Sequence, residues 1–270
     1  MTIQAKVETV LKRRLAPSGE LLPNEKINIF KGQALQVKRV TPAPNQHLLL
    51  ELINHEFDRG YVYAPHWKYE DEEIVLEASY YYQGNNPSGE GYRECCGTSN
   101  AILVNYLLGG KLDADARRDG VSQPESYYLE VLKRFGDTTD HSANTKALRE
   151  FGIESYWSTS LTLEDYYLSI LGGIPLVMGL NYKGPAQGHI VCGVGIKRKK
   201  RVAIVHDPNG ARLGATDEWI SNSPEAGMFD VYGLETLETL WFPRNEEGHP
   251  TLGWGRVVTH ILGKPTIFAG

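Results

Sequence analysis

Residues 101–108 are apolar on almost every side, interrupted only by Asn105. A helix with that pattern has no face to give to water and must be wrapped by other elements. Gly109-Gly110 ends it, since glycine tolerates the left-handed backbone that closes many helices. The fold must therefore supply a cover around one central helix. A chain of 270 residues can bury such a core without staples and still hold a second small unit.

The following segments supply the cover. Residues 124–135 place apolar side chains at Tyr128, Val131, Leu132 and Phe135, with Pro124 at the start and Gly136 just after, the punctuation of a surface helix. Residues 144–151 read as a short helix closed by Gly152. Residues 162–171 open with Thr162 and Asp165 at capping-box spacing and end at Gly172. Apolar strands follow at 175–180, 189–196 and 202–206. Helices first and strands second predict an α+β domain, its buried helix packed on an antiparallel sheet.

Upstream the pattern changes. Residues 27–30, 35–40, 47–53 and 60–63 are short alternating segments separated by glycine and proline, which predict a small all-β barrel. The charged stretch 68–73 reads as a linker. The expected division is a barrel over residues 1–70 and an α+β domain over 76–270. Tyr61, Tyr63 and Trp67 offer either a binding face or an interface between the two.

Net charge is −5, from 28 basic and 33 acidic residues, which is not the basic footprint of a nucleic-acid binder. The one basic run, Lys197 to Arg201, reads as a solvated turn between two strands. Residues 1–15 lack the apolar run of a secretory signal, and no apolar stretch reaches the length of a membrane span. The expectation is a soluble protein without membrane insertion. Tyrosine outnumbers phenylalanine 15 to 7, which suits either a surface for polar ligands or a wet rim around the core.

Three cysteines, Cys95, Cys96 and Cys192, exclude a disulfide framework, and adjacent Cys95 and Cys96 could bond to each other only with strain. Cys95 follows a Gly-, Asn- and Pro-rich loop and directly precedes the buried helix. A thiol at a helix N-terminus faces the positive end of the macrodipole, which favours thiolate. Cys96 is its rival, roughly a hundred degrees further round the helix.

The base comes from a hairpin. His189 opens one apolar strand, and the next ends at His206-Asp207-Pro208. A pairing centred on Arg198 sets 196 opposite 200 and 189 opposite 207, so His189 and Asp207 share a face. A carboxylate there fixes the imidazole tautomer and stabilises its charged form. His189, Cys192, His206 and Asp207 include zinc-ligand types, but His189 and Cys192 point to opposite faces of their strand. Neither Cys-x-x-Cys nor His-Glu-x-x-His is present. No metal or cofactor is expected. A cysteine hydrolase also needs donors for the oxyanion. The Cys95 amide supplies one, and Gln83, Asn85 or Asn86 a side-chain partner.

The order Gln83, Cys95 with Gly97-Thr98-Ser99, Gly188-His189 and Asp207-Pro208 resembles the papain-like peptidases that remove double-glycine leaders from bacteriocins. In those relatives the nucleophile lies four residues before a small helix residue. Counted back from Ser99, that is Cys95. The resemblance implies Gln83 as oxyanion donor, Cys95 as nucleophile, His189 as base and Asp207 as its orienter. Residues 23–64 resemble a bacterial Src-homology-3-like barrel, and Trp241, Gly253 to Arg256 and Val257-Val258 resemble the tail of phage lytic enzymes. These resemblances imply an endolysin-like peptidase acting on peptidoglycan peptides, made in a bacterial cytoplasm and acting at the cell wall. A protein- or leader-processing peptidase and an inactive wall- or peptide-binding module are the alternatives.

Overall fold

The computed structural model describes residues 2–69, 73–181, 188–212, 219–242 and 252–269. Seven strands build a first antiparallel sheet: β1 (Thr2–Ala5), β2 (Thr9–Lys12), β3 (Lys26–Ile29), β4 (Ala34–Ala43), β5 (His47–Leu52), β6 (Arg59–Tyr63) and β7 (Trp67–Tyr69). Their spatial order is β3-β2-β6-β5-β4-β1-β7. Strands β1 and β2 lie within the expected 1–70 unit but ahead of the alternating segments that begin at residue 27. Alternation buries one face, with Ile3, Leu11, Leu48, Leu50 and Val62 fully inside. Trp67 is also fully buried, so it belongs to the core and offers no binding face.

The expected linker is partly strand. Lys68 lies in β7, and Glu73 opens β8 (Glu73–Val75), which pairs with the second sheet; residues 70–72 lie outside the described part.

The second unit mixes helices and antiparallel strands, as an α+β fold requires. Helix α1 (Cys95–Leu107) is buried from Cys96 to Asn105. Its one polar interruption is used: Asn105 Nδ2 donates to Asp113 Oδ2 at 2.8 Å, tying α1 to α2 (Lys111–Asp119). Helices α3 (Ser126–Lys133) and α4 (His141–Glu150) pack on α1. Helix α5 (Leu163–Leu171) carries the expected capping box between Thr162 and Asp165. The sheet uses β9 (Ile153–Leu161), β10 (Leu176–Asn181), β11 (Gly188–Lys197), β12 (Val202–His206), a small pair β13 (Ala211–Arg212) and β14 (Trp219–Ser221) beside it, β15 (Asp230–Gly233), and, after α6 (Leu234–Trp241), β16 (Gly253–Ile261) and β17 (Lys264–Pro265). Its order is β15-β12-β11-β10-β16-β17, with β8 beside β11 and β9 beside β16.

The basic run forms the expected turn at the tip of the β11–β12 hairpin, exposed from Lys199 to Arg201, and its side chains also pair with acidic groups from other elements. Lys197 and Lys200 both reach Glu73 at 3.3 Å. Arg198 lies 3.5 Å from Glu164, whose other oxygen is 3.2 Å from Lys6 of the first unit. Strand β11 has 10 residues, so at about 3.3 Å per residue this junction sits roughly 30 Å from His189. A second seam joins Asn45 and Gln46 amides to the carbonyls of Ala269 and Ile267, both at 2.8 Å. The first unit is therefore docked at the hairpin tip, away from the residues singled out for chemistry.

Candidate active site

Cys95 is the first residue of α1, not the residue before it. The first helical bond runs from Thr98 N to Glu94 O at 2.9 Å, so the amides of Cys95, Cys96 and Gly97 point out of the helix end. Cys95 is half-exposed, whereas Cys96 and Cys192 are buried.

The two adjacent thiols face different partners. Cys95 lies within hydrogen-bonding reach of the His189 ring. Cys96 turns inward, 3.7 Å from His141 Nδ1 and 3.6 Å from Asn100 Nδ2. His141 stacks on Trp157 with centroids 3.6 Å apart, which covers that thiol. Burial pushes the Cys96 thiol up to about 12, so it stays protonated at neutral pH.

His189 Nε2 donates to Asp207 Oδ1 at 2.6 Å, leaving Nδ1 as the ring nitrogen that meets Cys95. Burial alone would pull this imidazole down. The Asp207 charge, the Asp207 hydrogen bond and the contact with Cys95 outweigh it and hold the imidazole at about 9. The ring is thus charged at neutral pH and sits between a carboxylate and a thiol.

The hairpin that joins His189 to Asp207 has a different register from the expected one. It pairs Lys197 with Val202 and Cys192 with His206, with an irregularity between Gly193 and Gly195. The turn is centred between Lys199 and Lys200, and Asp207 lies just past the end of β12. His189 and Asp207 are therefore diagonal neighbours rather than directly opposed. An offset of two keeps both on the same face, which is why the juxtaposition survives the shift.

Asp207 is fully buried and held on every side. Its Oδ1 also accepts from Asn209 N at 3.0 Å, and its Oδ2 from Tyr232 OH at 3.0 Å. Its amide donates to Gly227 O at 3.0 Å, and its carbonyl accepts from Tyr80 OH at 2.8 Å. A Cβ on Gly227 would stand 1.9 Å from that carbonyl, so only glycine fits.

His206 belongs elsewhere. Its Nδ1 accepts from Phe229 N at 3.0 Å, so Nε2 carries the proton and donates to Ala78 O at 2.9 Å. Burial pulls this imidazole down to about 4. With both nitrogens committed and the ring neutral, it is no metal ligand. Among the described residues no three His, Cys, Asp or Glu side chains converge on a metal position.

Gln83 is buried in a short turn. Its backbone N–H donates to Pro208 O at 2.8 Å, one residue past Asp207. On the other side Gly91 abuts it: a Cβ there would stand 2.1 Å from the Gln83 carbonyl. Gly91 opens the turn that leads into Cys95, so Gln83 is clamped between the segments that carry Cys95 and Asp207. Asn86, an alternative donor by sequence, has its Nδ2 committed to Glu94 Oε2 at 2.8 Å and Thr98 Oγ1 at 3.0 Å. Asn85 is exposed. The brackets from Tyr80, Gly227 and Tyr232 escaped sequence reading: Tyr232 lies on a strand paired to the hairpin, and no local spacing announces it.

A model of the Peptidase_C39 like family matches residues 75–232, more than half of the chain. The chain belongs to this family. It is a cysteine peptidase with a papain-like α+β domain, and a peptidase acts on peptides. No curated protein matches the chain. Among the described residues no helix is long and apolar enough to cross a membrane.

Proposed function

We propose that Cys95, His189 and Asp207 form the catalytic triad of this peptidase, with Gln83 and the Cys95 amide as oxyanion donors. The observation that carries it is the His189 ring, set between the Cys95 thiol and the Asp207 carboxylate. The helix end stabilises negative charge building on sulfur. The thiolate attacks the carbonyl carbon of the substrate amide, and the resulting oxyanion is met by the donors. His189 protonates the departing nitrogen, the C–N bond breaks, and a thioester to Cys95 remains. His189 then takes a proton from water, which attacks the thioester and releases Cys95.

The substrate in this reading is a peptide stem or cross-link of bacterial peptidoglycan, as for an endolysin. Its support is the architecture. Residues 1–70 are read as an Src-homology-3-like barrel that holds wall, and residues 76–270 as the peptidase. A module docked roughly 30 Å from His189 suits anchorage to an extended polymer better than guarding a cleft. The protein is read as made in a bacterial cytoplasm and acting at the wall.

Release of soluble fragments from purified peptidoglycan by wild type and Cys96→Ala, but not by Cys95→Ala, is the expected result. No release from walls of several chemistries, with cleavage of protein substrates instead, would replace the wall reading by a protein-processing one.

A further inference from the structure

The second oxygen of the Asp207 carboxylate is not left to solvent. Tyr232, itself 2 % exposed, sits on β15 opposite Ala203 of β12. Its hydroxyl donates to Asp207 Oδ2 at 3.0 Å. With Asn209 N and His189 Nε2 on Oδ1, the carboxylate plane is fixed, and it can neither rotate nor retreat from the imidazole.

We infer that Tyr232 is a positioning residue of the reaction: it holds the buried Asp207 anion in the plane from which Oδ1 orients His189. This inference rests on the triad reading. Three facts favour it over ordinary packing. The contact is to a fully buried anion, where each charge-assisted donor counts more than in water. It engages the oxygen that His189 does not use. It comes from a separate strand, so it also ties the carboxylate to the sheet. Among the described residues, the charged and titratable groups around Asp207 include His189 on β11, the neighbouring His206 (which bonds Ala78 and Phe229 instead), Tyr80 ahead of Gln83, and Asp230 and Tyr232 on β15. Only Tyr232 among them donates to Oδ2.

Without that hydroxyl the carboxylate can turn, and the charged imidazole is held less well against the Cys95 sulfur. The pair between Cys95 and His189 then dissolves at a higher pH on the acid side. The test needs no substrate. The rate of Cys95 alkylation by iodoacetamide is followed against pH, with peptide mapping to assign the label. Wild type, His189→Ala, Tyr232→Phe, Asp207→Asn and the Tyr232→Phe/Asp207→Asn double variant are compared. Tyr232→Leu removes the hydroxyl in a second side chain, and circular dichroism confirms that each variant is folded.

The expected result is an acid limb raised by about one pH unit in Tyr232→Phe and Tyr232→Leu. In the Asp207→Asn background Tyr232→Phe should have no further effect. A Tyr232→Phe profile superimposed on wild type overturns the inference while leaving the triad intact. An equal shift in the presence and absence of the carboxylate also overturns it, because the hydroxyl would then act through something else. Superposition of His189→Ala on wild type sinks the triad reading itself.

Discussion

Ser99 Oγ donates to the carbonyl of Ile190 at 3.2 Å. The bond joins the helix one turn after Cys95 to the strand one residue after His189. It fixes how far the thiol sits from the imidazole, because both partners are on rigid elements and Ser99 is fully buried. Ser99→Ala should cost on the order of 1 kcal/mol in stability. It should also slow Cys95 alkylation at neutral pH several-fold, which a purely structural serine would not do. Urea unfolding and iodoacetamide kinetics on the same samples check both.

The adjacent cysteines should behave as opposites. Cys96 is shielded by the His141–Trp157 stack and its thiol is held up at about 12, so its thiolate fraction at neutral pH is negligible. Cys96→Ala is expected to keep activity within a few-fold of wild type. Cys95→Ala should lose roughly three orders of magnitude or more, since the nucleophile cannot be bypassed. Mass mapping of a brief labelling pulse should place nearly all label on Cys95. Label on Cys96 instead would reverse the assignment.

His189 sets the alkaline side of the pH profile. Its imidazole is held at about 9 against an ordinary 6.5. A group raised in the folded state contributes stability that is complete below 6.5 and is lost as pH rises through about 9. Activity should fall over the same upper range. In Asp207→Asn burial acts with little opposition, so the alkaline limb should move well down, and turnover should drop roughly a hundred-fold or more. A limb unmoved by Asp207→Asn would mean that another group titrates.

Much of this site was legible because its parts lie on local patterns. The helix that Cys95 begins is announced by apolar residues on every side, and the hairpin by two apolar strands around a basic turn. The pairing of His189 with Asp207 tolerated a register error of two, because strand side chains repeat their face every second residue. Other features were not readable. Strands β9 and β16 mix polar and apolar residues around Trp157 and Arg256, and their pairing crosses about a hundred residues of chain. Helix α2 is mostly charged, with only Leu112 and Ala116 buried, too few to mark a face. The ion pairs of the basic run were not readable because its acidic partners, Glu73, Glu164 and Glu235, lie far off in sequence. Sequence pattern offers Asn86 as an oxyanion donor, but it ties Glu94 to Thr98, and Tyr232 matters only through the group it holds; spacing cannot encode either role.

Glu125 offers a test of the buried polar layer behind the site. It is 2 % exposed and caps α3 with its own backbone. Burial, aided by the charges of Asp113 and Glu94, pushes its carboxyl up to about 7 from 4.5. The folded state then binds this proton more tightly than the unfolded chain does. Stability from this group is therefore complete below 4.5 and declines as pH rises to about 7, beyond which the ionised carboxylate is a constant cost. Glu125→Gln removes the ionisation and keeps the shape. Its advantage over wild type should grow from pH 5 to pH 8, reaching up to about 3 kcal/mol. Urea unfolding at the two pH values reads this directly. An advantage that does not change with pH would show that Glu125 stays ionised in the folded protein, with a donor satisfying it, and that the layer behind α1 is built on charge rather than on a held proton.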